Sequence, residues 1–482
     1  MSLNLFIRII LLVVVVNGLD CDSDPTSTFP MGIHLAFGQN PTQDITVSFF
    51  TCSITSNKET PLIHLFGPKN NQTFTGTTLS SKGEGRFHHH VALKNLSSDT
   101  TYHYTASLSD SKSPRSRPYQ FRTASSSPKE YFTVAVVGDM GVNGSSSTIS
   151  WLSTKRTLPT YNATIHLGDV SYADDYDKHL VPEPSSGRSY EAVYDDFLTT
   201  VENISATSPY HIVPGNHDVT CHATTDLGCA SYQKNFSAIN RRYRMPGYDG
   251  RGGHNMWYSF DLGSVHFAMI DTESDYPSAP TKPHTFIGGG AGGGFNGNQL
   301  KWLTQDLKDA NARTEIEWIV VSGHRPWYSS KTMDWPLRTP THLRNAFEKI
   351  LVENNVDMYL CGHKHFYERT KKIVDGKVDL IKGIVYVTNG AAGNNEGVQK
   401  KGNGNKDLIE TGQYAASGTG FGELATMEGG DGSGNGGMVL RWRYRLSKDG
   451  SVVDELILPA RGKRKKKKKK KIRGNRMHIE GK

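Results

Sequence analysis

VAVVGD at 134–139, ATIHLGDVSY at 163–172, HIVPGNH at 211–217, WIVVSGH at 318–324 and MYLCGHKH at 358–365 share one form. Each is an apolar run, a glycine, and then a side chain able to bind a metal. The glycine lets the chain turn sharply where the strand stops, and ligands of open α/β sheets collect at the carboxyl ends of strands. One motif of this kind is common, because an Asp after a strand is often a helix cap. Five in order predict that buried strands aim carboxylate, amide, phenol and imidazole donors at one place. His363 and His365 are two apart, so in extended chain they would point the same way.

The donor set is Asp139, Asp169, Tyr172, Asn216, His324, His363 and His365. With one carboxylate bridging, the set gives four protein donors to each of two ions. Oxygen and imidazole without thiolate favour iron, manganese or zinc. Two ions ~3.5–4 Å apart can hold an attacking hydroxide and stabilise an in-line displacement at phosphorus. His217, beside Asn216, is expected to project toward a substrate.

The rest of the chain frames that site. Residues 25–123 alternate short apolar–polar strands with polar turns, which reads as an antiparallel β-sandwich. His88, His89 and His90 lie there and are expected on the strand surface. SSSPKE at 125–130 is the linker, and 130–460 reads as an α/β domain of mixed sheets flanked by helices. Helical apolar spacing recurs at 190–204 and 343–355. Hairpins are expected across Leu262-Gly263 and at Asp449-Gly450. Glycine-rich 288–297 and 429–437 read as loops.

At 482 residues and 36% apolar content the chain can bury a large core, divided between two domains. The run IILLVVVV at 9–16 is too short to span a bilayer and makes 1–18 a signal peptide. No later stretch approaches the ~20 apolar residues of a membrane helix. The expected location is therefore secreted or lumenal, extracellular or lysosomal. Sequons at Asn71, Asn95, Asn143, Asn162, Asn203 and Asn235 agree with that route. Cys221 with Cys229 is the expected disulfide, Cys21 with Cys52 a further pairing, and Cys361 a buried free thiol. Residues 461–482 hold 13 Lys/Arg against one Glu, which exceeds the whole net charge of +8 and leaves the body acidic. The body is thus not expected to bind nucleic acid, whereas the polybasic tail could associate with anionic surfaces by charge.

GDMG, GDVSY, GNHD, SGH and GHKH match in order the motif series of metallophosphoesterases. The tyrosine three residues after the second aspartate resembles the purple acid phosphatase branch. FYER at 366–369 and NGAAGNNEG at 389–397 are similar to further stretches of that family, and the resemblance covers about 25–460. It implies a fibronectin-III-like sandwich ahead of the catalytic domain. It also implies a ferric ion on Asp139, Asp169, Tyr172 and His365, and a divalent iron, zinc or manganese on Asp169, Asn216, His324 and His363. A phenolate on iron(III) would colour the protein. His217 would contact phosphate and protonate the leaving alkoxide, so activity would favour acidic pH.

The function so implied is a secreted acid phosphatase that hydrolyses small phosphate monoesters by attack of a metal-bound hydroxide. A phosphodiesterase or nucleotide pyrophosphatase on the same core is an alternative. A catalytically silent binding glycoprotein would be expected to have lost at least one donor, and all seven are present. Plant members carry adjacent histidines after the motif corresponding to SGH. Here GHRPWYSSKTMDWPLRTPTHLR at 323–344 has no such pair, and its His342 is expected at the surface. HRPWYSS instead resembles fungal or protist members of high molecular weight.

Overall fold

The computed structural model describes residues 21–461 except 69–70, 111, 155–160, 177–187, 223–227, 249–252, 278, 280–297, 331–338, 400–407, 412–417 and 430–436. The expected signal peptide, the glycine-rich stretch 288–297, the stretch 429–437 apart from its end residues Gly429 and Gly437, and the tail beyond Arg461 lie outside the described residues.

The alternating segments of the first hundred residues form two four-stranded antiparallel sheets. One orders Met31–Phe37, Ile45–Thr51, Phe87–Leu93 and Thr77–Ser80. The other orders Asn71–Thr75, Pro61–Phe66, Thr101–Leu108 and Tyr119–Arg122. Cys21–Cys52 ties the first sheet to the chain entering it, and Cys221–Cys229 closes a loop beyond the third motif. Cys361 is a buried free thiol.

After the linker come two mixed sheets. Tyr210–Ile212, Ala163–His166 and Thr133–Val137 run parallel and are continued antiparallel by Gly420–Glu428, Met438–Leu446 and Val452–Pro459. The second sheet carries Val265–Met269, Trp318–Ser322, Met358–Cys361 and Ile384–Asn389 in parallel, with antiparallel edges. Strand alternation sorts its core. Trp318, Val320, Met358 and Leu360 pack toward Val134, Val136 and Leu424 of the first sheet. Ile319, Val321 and Tyr359 pack with Leu303 and Leu307 of the helix Gln299–Ala312. The layers are therefore helix, sheet, sheet, helix. Both expected hairpins form, at 258–269 and 438–459. The helix Tyr190–Ser205 and the helical run Thr339–Glu353 match the two apolar-spaced segments, the latter with a π-turn at Arg344–Glu348.

The expectation of surface histidines at 88–90 is overturned. His88, His89 and His90 are 2, 0 and 4% exposed. The face bearing His88 and His90 is covered by the helices Tyr190–Ser205 and Ser237–Arg242, a contact that local alternation does not reveal, while His89 turns to the opposite face beside Phe49. His90 bonds Ser48 and the Arg241 carbonyl, and His89 bonds Thr51 and Thr78. The same interface holds the Arg86–Asp195 pair at 2.9 Å and the Tyr104 hydroxyl, which donates to the Ala206 carbonyl at 2.7 Å. One apolar core accordingly runs from Ile33 in the sandwich to Phe421 in the first sheet.

Candidate metal centre

All five motif strands end at one edge, three in the first sheet and two in the second. Their following residues meet between the two sheets. Asp139, Asp169, Tyr172 and His363 all take the left-handed backbone, with φ of 58, 56, 56 and 67°. Such conformers cost of order 1–3 kcal/mol each and persist where packing over-determines them. For His363 this corrects the extended chain expected at 363–365: the Lys364 N–H donates to the Gly362 carbonyl, and the segment bends. The two histidines then face different sets of donors.

Backbone amides orient both carboxylates. The His363 N–H donates to Asp139 Oδ2 at 2.8 Å, and the His217 N–H to Asp169 Oδ1 at 2.9 Å. The remaining oxygens, Asp139 Oδ1 and Asp169 Oδ2, face the other donors. Close approach needs glycine here: a Cβ on Gly215 would overlap Asp169 Oδ1, and one on Gly362 would overlap Asp139 Oδ2.

Two groups result. In the first, Tyr172 Oη lies 2.9 Å from His365 Nε2, 3.3 Å from Asp139 Oδ1 and 3.4 Å from Asp169 Oδ2. In the second, His324 Nε2 lies 3.0 Å from Asn216 Oδ1, 3.1 Å from Asp169 Oδ2 and 3.2 Å from His363 Nδ1. His363 Nδ1 is also 2.8 Å from Asn216 Oδ1. Asp169 Oδ2 belongs to both groups. An ion with ~2.1 Å bonds separates neighbouring donors by ~3.0 Å at right angles and ~3.4 Å at tetrahedral angles. The observed spacings fit that requirement in each group.

The histidines are prepared for the same task. His324 Nδ1 faces the Leu167 carbonyl at 2.8 Å and His365 Nδ1 the Gly397 carbonyl at 3.2 Å. Donation there leaves each Nε2 a lone pair aimed at the centre. Burial, with the charges of Asp139 and Asp169, lifts the Tyr172 phenol well above its ordinary 10. It would ionise only against a strong cation. Burial opposes the charge on Asp169, yet His324 and His217 hold that carboxyl well below its usual range.

His217 sits at the rim of the same centre, 5% exposed, with its ring tilted over Tyr172 at 4.4 Å. Its Nδ1 is 2.9 Å from Asp174 Oδ2, and its Nε2 is 3.8 Å from Glu396 Oε1. Burial works against the imidazolium, but Asp174, Asp169 and Asp175 raise it well above 6.5. His342, in the helical segment Thr339–Leu343, is half-buried rather than exposed. The stretch 331–338 before it lies outside the described residues.

Several residues of the site were not singled out in the sequence. Asp174 follows GDVSY by two positions and orients His217. The Asp218 carboxylate, last in GNHD, accepts from the N–H groups of Gly215, Asp169 and Val170 at 2.8, 3.0 and 3.1 Å, joining two motifs. Asn394 and Glu396 come from NGAAGNNEG, and the Asn394 amide donates to the Asp139 carbonyl. Arg325 is buried on Glu273 and reaches His363 Nε2 at 3.1 Å. Adjacent acids beside a donor motif were the available signal for Asp174; nothing local marked Glu273.

Residues 132–367 match the calcineurin-like phosphoesterase family, and residues 30–123 the purple acid phosphatase N-terminal domain. An acid phosphatase of Aspergillus ficuum is 29% identical over 77% of this chain and 76% of its own length. Acid phosphatase A of Cryphonectria parasitica is 30% identical over 65% of this chain and 71% of its own. Purple acid phosphatase 15 of Arabidopsis thaliana is 29% identical over 64% of this chain and 54% of its own. The structure of a purple acid phosphatase from yellow lupin seeds superposes with a TM-score of 0.68 over 89% of this chain and 74% of that one, at 19% identity, which speaks to the fold.

Proposed function

The chain belongs to the purple acid phosphatase family, acid phosphatases built on a metal centre, and we propose that it hydrolyses phosphate monoesters with one ferric and one divalent ion. The observation that carries this reading is the pair of four-donor groups sharing Asp169 Oδ2. The ferric ion is assigned to Asp139, Asp169, Tyr172 and His365, because only a strong Lewis acid ionises so buried a phenol. Asn216, His324 and His363, again with Asp169, are assigned a divalent iron, zinc or manganese. When bound, such a pair supplies an activated water and neutralises charge on the phosphoryl oxygens.

The protein's own residues supply the rest. His217 Nε2, at the rim, binds a phosphoryl oxygen and passes its proton to the leaving alkoxide. Asp174 holds Nδ1 and so fixes the ring and the tautomer. An imidazole that donates must first be protonated, so activity is expected to fall as pH rises through the His217 pKa. Arg325 braces His363 from behind.

Secretion and N-glycosylation complete the reading. They are supported by two disulfides and by five sequon asparagines that are exposed, with Asn162 half-buried. Among the described residues no helix is long and apolar enough to cross a membrane. Endoglycosidase treatment of the secreted protein should lower its apparent mass.

The decisive experiment is metal analysis of the purified protein with its visible spectrum and monoester hydrolysis against pH. A colourless protein with two zinc ions would sink the iron–tyrosinate assignment. No hydrolysis after reconstitution with iron and zinc would sink the catalytic one.

A further inference from the structure

At the amino-terminal ends of the parallel strands Trp318–Ser322, Met358–Cys361 and Ile384–Asn389, away from the edge that bears the metal donors, lies a groove of about 1160 Å³. Leu380, Ile381 and Ile457 line it, exposed by 73, 55 and 53%. They are three of only seven exposed large hydrophobic side chains among the described residues, so their clustering is not the ordinary scatter of a soluble surface. A closed turn holds the first two outward. Asp379 Oδ1 accepts from the N–H groups of Ile381 and Lys382 at 2.8 and 3.0 Å, and the Asp379 carbonyl accepts from Gly383 at 2.9 Å.

The rim is basic on balance: Arg313, Arg369, Lys371, Lys372 and Lys382 border the same groove against Glu317, Asp357 and Glu410. Arg461 also lies there, donating to Asn311 Oδ1 and the Asn355 carbonyl at 3.0 Å each. That contact pins the chain beside the groove directly before residues 462–482, and Arg461 is the first of the 13 Lys/Arg that 461–482 hold against one Glu.

We propose that this face docks on anionic lipid bilayers, with Leu380 and Ile381 seated among the headgroups and Lys371, Lys372 and Lys382 on anionic lipid, the basic sequence that follows Arg461 adding to the attraction. Stable attachment to a bilayer takes two signals, an inserted apolar group and a cluster of basic charge, and the turn at 380–381 with the lysines beside it supplies both. A polyanion such as nucleic acid would use the charge and leave the apolar turn wet. A second copy would bring two basic faces together. The metal edge lies at the opposite ends of the strands, so docking leaves it open to solvent. The proposal does not depend on which metals or substrate the centre uses.

The test is flotation of the full-length protein with phosphatidylcholine vesicles, with and without phosphatidylserine, at physiological ionic strength. Binding is expected only with phosphatidylserine. The double variant Leu380→Asp, Ile381→Asp should weaken it by about tenfold or more, while hydrolysis of a soluble monoester stays within about twofold. A Trp reporter, Ile381→Trp, should shift its emission to the blue when anionic vesicles are added. Three results would overturn the proposal: no binding to anionic vesicles, binding unaffected by the double variant with no Trp shift, or sedimentation showing a dimer that the double variant dissolves.

Discussion

Replacing Asp174 by Asn removes the charge behind His217 and almost nothing else. The Asp174 Oδ2 to His217 Nδ1 bond, at 2.9 Å between groups 3 and 5% exposed, is a buried charge-assisted one. Such bonds contribute ~1.5–3 kcal/mol. If the proton on His217 Nε2 is used in the transition state, kcat/KM for an alkyl phosphate should fall by about tenfold to a hundredfold. A nitrophenyl phosphate, whose leaving group needs little protonation, should lose less than about threefold. The pH profile supplies the second arm. Burial opposes protonation of His217, and Asp174 is the largest influence raising its pKa above 6.5. Without that carboxylate the imidazole pKa falls, so the alkaline limb, where activity is lost, should move to lower pH. Bound cations lower it further, in variant and parent alike. The assay is kcat/KM for both ester types across pH in the metal-loaded enzyme. Equal losses for the two esters, or an unmoved alkaline limb, would refute His217 as the acid and Asp174 as its support.

Three further outcomes are expected. Tyr172→Phe should bleach visible absorption while the unfolding midpoint stays close to the parent's; a variant that stays coloured would remove Tyr172 from the ferric ion. Gly215→Ala places a methyl on Asp169 Oδ1, and should cost bound metal, read by metal analysis of the purified variant, together with ~1–3 kcal/mol of stability. Arg86→Ala leaves Asp195, 0% exposed, without its partner and should destabilise by ~3–5 kcal/mol at neutral pH. Burial already lifts Asp195 to about 6 with Arg86 in place, and losing the arginine lifts it further. A carboxyl with a raised folded pKa is penalised above that pKa, so the variant's deficit should shrink as pH falls below it. Urea unfolding at two pH values checks the sign, and a deficit that grows toward acid would contradict it.

Much of the site could be read in the sequence because its information is local. An apolar run, a glycine and a donor specify where a strand ends and what its end presents. All seven donors and His217 came from such stretches, and the structure brings them together. What stayed illegible was non-local. The histidines at 88–90 have the alternation of a surface strand, but the helices at 190–205 and 237–242 cover the face bearing His88 and His90, and His89 is buried on the other face beside Phe49. Asp174 looks like one acid in a pair until the fold sets it behind His217. Glu273 and Arg325 meet across 52 residues of sequence.

The sequence by itself determined the chemistry: hard oxygen and imidazole donors, their number, and the strands that end on them. The tertiary structure alone decided the grouping. The first three motifs belong to one sheet and the last two to another, so two groups arise only because the sheets stack with those edges aligned. Asp169 is shared because its Oδ2 lies 3.1 Å from His324 on the second sheet and 3.4 Å from Tyr172 beside its own. Side-chain type is written residue by residue, but a distance between two sheets is set by the core packed between them.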